Sequence, residues 1–73
     1  MRNSDTLTVF GRRLRELRLR RGISQEKLAE IADLHRNYIG LMERGESNVS
    51  LLSLVAIARA LKVKPVKLIE PIP

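Results

Sequence analysis

Arg36 and Asn37 stand side by side where the sequence passes from a turn into a short helix, and their chemistry is that of base recognition. The planar guanidinium of Arg36 matches the two acceptors on the major-groove edge of guanine, and the amide of Asn37 matches the acceptor–donor pair of adenine. Gly40 and Leu41 fall one helical turn further along the same face. A glycine there would allow close backbone approach, and a leucine there can touch a thymine methyl. The plain alternatives are two solvated first-turn residues for Arg36 and Asn37, and simple packing for Leu41. No catalytic set competes with this reading. The 73 residues include no cysteine and a single histidine, with no phosphate-binding loop and no paired-carboxylate motif. Neither a disulfide nor a zinc site can be built from such a set, so no enzyme, metal or cofactor is expected.

The elements that must position these residues are helices, and no convincing strand competes. Phe10, Leu14 and Leu17 recur at helical spacing with Leu7 one turn earlier, Ser4 or Asp5 as the cap and Gly22 as the stop. Ser24 caps a second helix that buries Leu28, Ala29 and Ala32, although Lys27 stands where a full capping box wants Glu. Asp33 is the turn residue, in the left-handed region. A third helix runs from about Arg36 to Arg44, burying Ile39 and Met42, and Gly45 ends it. Ser50 caps a fourth helix through Leu61; Pro65 opens a short fifth and Pro71 closes it. Two helices joined by a tight turn, the second beginning with long hydrogen-bonding side chains, define a helix-turn-helix over about residues 24–45. The fold class is all-α, a single domain over residues 1–73 with residues 1–5 expected to be disordered.

Charge is unevenly spread over a net +6. Residues 1–22 net +5, residues 23–48 net −2 and residues 49–73 net +3, so positive segments flank a mildly acidic centre. A folded module facing a polyanion fits this balance better than a disordered basic tail does. The apolar runs are too short to span a bilayer and the first residues lack the apolar segment of a signal peptide, so a cytoplasmic protein is expected.

The run GISQEKLAEIADLHRNYIGLMERG resembles the Cro/repressor-type helix-turn-helix family, also called the xenobiotic-response-element family. That pattern is Gly-aliphatic-Ser-Gln, two variable residues, Leu-Ala, and later Ile, two variable residues, Glu, one variable residue and Gly. SLLSLVAIARALKVKPVKL resembles the fourth and fifth helices of the same family. Within it, RNYIGLMERGESNVSLLSL looks most like the controller proteins of restriction–modification systems. The resemblance implies a five-helix, lambda-repressor-like DNA-binding domain that regulates transcription as a dimer, commonly at its own operon, in a bacterium or phage and in association with the nucleoid. A phage Cro-like repressor and an antitoxin-type interaction module are the alternatives. Asp33 replaces a usual Gly, His35 a usual Ser, Thr or Asp cap, and Lys64 a usual cap before Pro65.

The family resemblance implies further roles. Gln25 matches a glutamine that holds a phosphate and braces the reading helix. Arg18 and Glu43 match an ion pair between the first and third helices. Glu26, Glu30 and Asp33 match acidic positions through which some relatives touch RNA polymerase; otherwise they form a solvated face. Among the remaining polar residues, Arg44 and Asn48 are candidates for phosphate or groove-edge contact. Tyr38 either offers its hydroxyl to a phosphate or sits half-buried, and His35 is an N-cap substitute beside the DNA backbone. The arginines of the first helix are read as a solvated face, with Arg20 or Arg21 able to reach the backbone.

The fourth helix has two apolar faces. Leu51, Leu54, Ile57, Ala58 and Leu61 form the stripe that the core needs. Leu52, Val55 and Ala56, with Arg59 among them, fall elsewhere, and Val66 and Ile69 repeat the pattern on the fifth helix. A second apolar face of this kind marks an interface, here a two-fold homodimer through about residues 50–72 that reads a palindromic double-stranded site.

Overall fold

The computed structural model describes residues 2–73, which form five α-helices and no strand among them. These are α1 (Asn3–Arg21), α2 (Gln25–Ala32), α3 (Arg36–Glu43), α4 (Leu51–Leu61) and α5 (Val66–Ile69). None of these helices is long and apolar enough to cross a membrane.

The boundaries follow from local capping. Ser24 Oγ accepts the Lys27 N–H at 2.9 Å, and Ser50 Oγ accepts the Ser53 N–H at 3.1 Å. Each hydroxyl satisfies one of the amides that a helix start leaves without a partner. Gly22 ends α1 with φ 75°, while Asp33 and Lys62 end α2 and α4 with φ 57° and 59°. The start of α1 corrects the sequence expectation. Its cap is Arg2 rather than Ser4 or Asp5, because the Arg2 carbonyl accepts the N–H groups of Asp5 and Thr6 at 3.0 and 3.1 Å. Asp5 lies inside the first turn, where its carboxylate accepts the Arg2 backbone N–H at 3.4 Å. Residues 3–5, expected to be disordered, are therefore helical; Met1 lies outside the described residues.

Leu14, Leu28, Ile39, Met42, Ile57 and Leu68 form the fully buried centre, one or more from every helix. The long α1 is the spine: α3, α4 and α5 all pack on it, and α2 closes against α3 and α4. The approach of α1 to α3 is close enough that a methyl group at Gly11 would lie 2.6 Å from the Glu43 carbonyl oxygen.

The inward face of α4 also departs from expectation. The sequence pattern puts Leu51 in the core stripe, but it is 73% exposed, while Ser53 and Ala60 are buried beside Ile57, Ala58 and Leu61. At about 100° per residue, Leu51 lies roughly 120° around the helix from Ile57, beyond the edge of the buried arc. Ala56, expected on the outer face, is half-buried and packs against the core. Leu52, Val66 and Ile69 remain 83%, 50% and 42% exposed, with Val55 partly covered. An apolar outer surface therefore persists on α4 and α5, with Leu51 added to it.

Candidate nucleic-acid interface

The start of α3 is set by the three residues that separate it from α2. Asp33 in the left-handed region turns the chain, and the Leu34 N–H returns to the Ala29 carbonyl at 2.9 Å. Leu34 then packs on the core and directs His35 outward. His35 Nδ1 accepts the Asn37 backbone N–H at 3.1 Å, so the imidazole does the capping that Ser, Thr or Asp does elsewhere. An accepting Nδ1 requires the proton of the neutral ring to sit on Nε2. Arg36 and Asn37 follow as exposed residues in the first turn of α3.

The other end of α3 is held from within. Arg18 reaches from α1 and grips Glu43 through two bonds, Nε to Oε2 at 2.6 Å and Nη2 to Oε1 at 3.0 Å. Its Nη1 donates to the Ile23 carbonyl at 2.9 Å, tying the turn before α2 to the same centre. Gln25 completes the network: Nε2 donates to Glu43 Oε1 at 3.0 Å. A carboxylate in a salt bridge only accepts, so the amide of Gln25 must turn its nitrogen towards Glu43. One ion pair thus joins α1, the α1–α2 turn, α2 and α3.

Above this network Gln25, Arg36, Asn37, Gly40, Leu41 and Arg44 line one concavity of about 400 Å³. Residues 15 or more apart in sequence, Gln25 and Gly40 among them, come together because the tight turn packs α2 against α3. The arrangement offers planar donors and an amide around a floor that lacks a side chain at Gly40. Backbone edges of a nucleic acid need donors, and base edges need forks and amides; both are present here.

Three of the candidate DNA contacts, and the three acidic residues of the α2 surface, lie outside this concavity. Tyr38 is half-buried, and its hydroxyl donates to the Asn48 carbonyl at 3.1 Å. Its proton is therefore engaged, and a phosphate contact would have to exchange that bond. Asn48 borders a separate apolar cleft with Leu7, Phe10, Val49, Leu54 and Ile69. His35 flanks the concavity as the cap without lining it. Glu26, Glu30 and Asp33 are exposed along α2, and among the described residues only Glu30 has a cation beside it, Lys27 at 3.3 Å.

Two features escape a reading of the sequence. Arg13, taken there as part of a solvated face, donates through Nε to the Lys67 carbonyl at 2.7 Å and through Nη2 to Glu70 at 2.9 Å, and also pairs with Glu16. It latches α5, half of the apolar outer surface, onto α1. The Glu16 pairing at i,i+3 was visible as a helical spacing; the α5 contacts, more than fifty residues away, carry no local signal. Arg44 Nε donates to Glu46 Oε2 at 2.9 Å, an exposed pairing across the end of α3.

Residues 14–68 match a protein-family model described as helix-turn-helix. The chain is similar to Control protein C.BamHI of Bacillus amyloliquefaciens, with 48% identity over 63 residues, 85% of this chain and 78% of that protein. It is 43% identical over 65 residues to Control protein C.SmaI of Serratia marcescens, covering 89% of this chain and 77% of that one. The crystal structure of the restriction–modification controller protein C.AhdI from Aeromonas hydrophila superposes with a TM-score of 0.84. It is 50% identical, over 85% of this chain and 94% of C.AhdI. With α2, its tight turn and α3 inside the matched segment, the chain belongs to the helix-turn-helix family, among the restriction–modification controller proteins.

Proposed function

We propose that the protein is a homodimeric, sequence-specific regulator that binds a palindromic operator in double-stranded DNA and controls a restriction–modification operon, its own gene included. The observation that carries this reading is the concavity that gathers Gln25, Arg36, Asn37, Gly40, Leu41 and Arg44 along one side of α3. In this reading Arg36 and Asn37 contact base edges, and Gln25 with Arg44 holds the adjoining backbone or groove edge. The basic flanks supply attraction for phosphates, while the acidic α2 surface limits binding at unrelated sequences. Glu26, Glu30 and Asp33 are then available to a basic surface of RNA polymerase. A regulator that acts on chromosomal DNA would work in the cytoplasm, in association with the nucleoid.

Fluorescence anisotropy with the DNA immediately upstream of its own reading frame tests this function. Tight binding that weakens steeply with salt is expected for the native protein. Arg36→Ala and Asn37→Ala are each expected to lose about 1–3 kcal/mol of preference for that DNA over a scrambled duplex. Equal affinity of the native protein for both duplexes would remove the operator claim.

The dimer rests on the apolar surface of Leu51, Leu52, Val66 and Ile69. Two copies related by a two-fold axis would present two α3 helices roughly 34 Å apart, one turn of the duplex. Leu52→Asp puts a charge into that surface without touching the core, since Leu52 is 83% exposed. Sedimentation equilibrium is expected to show a dimer for the native chain and a shift to monomer for this variant at equal helicity. A dimer unchanged by Leu52→Asp would place the contact elsewhere.

A further inference from the structure

Gly40 occupies the middle of α3, where glycine lowers helix stability by about 1 kcal/mol relative to alanine. The space that its missing side chain leaves is in use. A methyl group there would lie 3.2 Å from Nη1 of Arg44 and 3.7 Å from Oε1 of Gln25. Arg44 follows Gly40 by four residues, so its side chain folds back along the same face. Its Nε is engaged separately, donating to Glu46 at 2.9 Å. The Gln25 amide on the opposite side is held by Glu43 at 3.0 Å. Arg44 therefore extends from Glu46 across the Gly40 backbone with its side chain 58% exposed, Nη1 over Gly40, and no hydrogen bond from its terminal nitrogens among the described residues.

We propose that Gly40 determines specificity by admitting the Arg44 side chain across the reading face, which makes Arg44 a reader of guanine and not simply a phosphate contact. Glu46 is its positioning residue. Holding Nε leaves the two terminal nitrogens as the free donors, the number needed for O6 and N7 of one guanine. The inference rests on the reading of the α3 concavity as the DNA interface.

The test begins with selection of a preferred duplex by the native protein from a randomised library. Anisotropy then measures binding to that duplex and to single-base substitutions of it, beside thermal unfolding of each variant. Arg44→Ala is expected to abolish preference at one guanine of each half-site, with an affinity loss of roughly 5- to 150-fold. Gly40→Ala is expected to raise the melting temperature, as helix propensity dictates, while losing preference at that same guanine. The double variant should bind no worse than Arg44→Ala alone. Glu46→Ala should relax the same position, and Glu46→Gln, which keeps an acceptor, should retain it. Independent, multiplying losses from Gly40→Ala and Arg44→Ala would overturn the inference. So would an Arg44→Ala loss that is equal on the selected and scrambled duplexes. Failure of the parent reading shows separately: the native protein would then select no sequence, or Arg36→Ala would leave the selected one unchanged.

Discussion

Arg18→Ala is expected to lower the stability of the fold by about 3–5 kcal/mol, the largest loss from any single surface-to-centre contact in the molecule. The side chains of Arg18 and Glu43 are 9% and 3% exposed, so removing the guanidinium leaves the carboxylate in the interior with only the Gln25 amide beside it. The Ile23 carbonyl loses its donor at the same time. For a domain of this size about 1 kcal/mol corresponds to roughly 4–8 °C in melting temperature. Circular dichroism melts should therefore show a drop of tens of degrees or no cooperative transition. Arg18→Met combined with Glu43→Leu is expected to recover much of the loss, because both charges then leave the interior. A double variant as unstable as Arg18→Ala would mean that packing, not the stranded charge, sets the cost. Where the fold survives, binding should weaken too, because Glu43 also holds Gln25.

Gly11→Ala is expected to destabilise by about 1–3 kcal/mol, the cost of forcing extra volume into a close-packed contact. A helix-interior glycine whose new methyl group meets only a movable side chain would show the opposite sign, gaining about 1 kcal/mol on replacement by alanine. The difference lies in what the new methyl group meets. At Gly11 it lies under 3 Å from carbonyl oxygens of Met42 and Glu43, backbone that cannot move without shifting α3. At Gly40 it meets the far end of a flexible arginine. Urea titrations of the two variants should therefore move the midpoint in opposite directions. A midpoint for Gly11→Ala at or above that of the native protein would show that α1 and α3 can separate without penalty.

Local rules made most helix boundaries legible from sequence. Ser24, Ser50, Gly22 and Asp33 each stop or start a helix through bonds to residues within five positions, and such bonds leave a readable pattern. The start of α1 was misplaced because Arg2, with no capping side chain of its own, uses its carbonyl to begin the helix and lets Asp5 fold back from inside. The exposure of Leu51 is not legible in the sequence, because an apolar residue at a helix edge does not declare whether a neighbour covers it. Arg13 and Gly11 were silent for a related reason: their partners on α5 and α3 are distant in sequence, and only the tertiary fold brings them close. The grouping of the candidate readers was more legible, since Arg36, Asn37, Gly40 and Leu41 share one helix face by spacing alone. The vacancy over Gly40 was read from sequence as room for DNA; in the folded chain Arg44 and Gln25 border it. The acidic stretch at the centre of a basic chain is also accounted for. Glu26, Glu30 and Asp33 are exposed on α2, and none lines the concavity at α3.

The most direct test of the central claim is an amide-resolved NMR titration of the native protein with its selected duplex. Shift changes are expected to concentrate at Gln25, at residues 35–41 and at Arg44, with α5 and the middle of α2 little affected. Saturation should come at one dimer per duplex. Changes spread along the arginines of α1, with α3 unmoved and the same pattern for scrambled DNA, would contradict it.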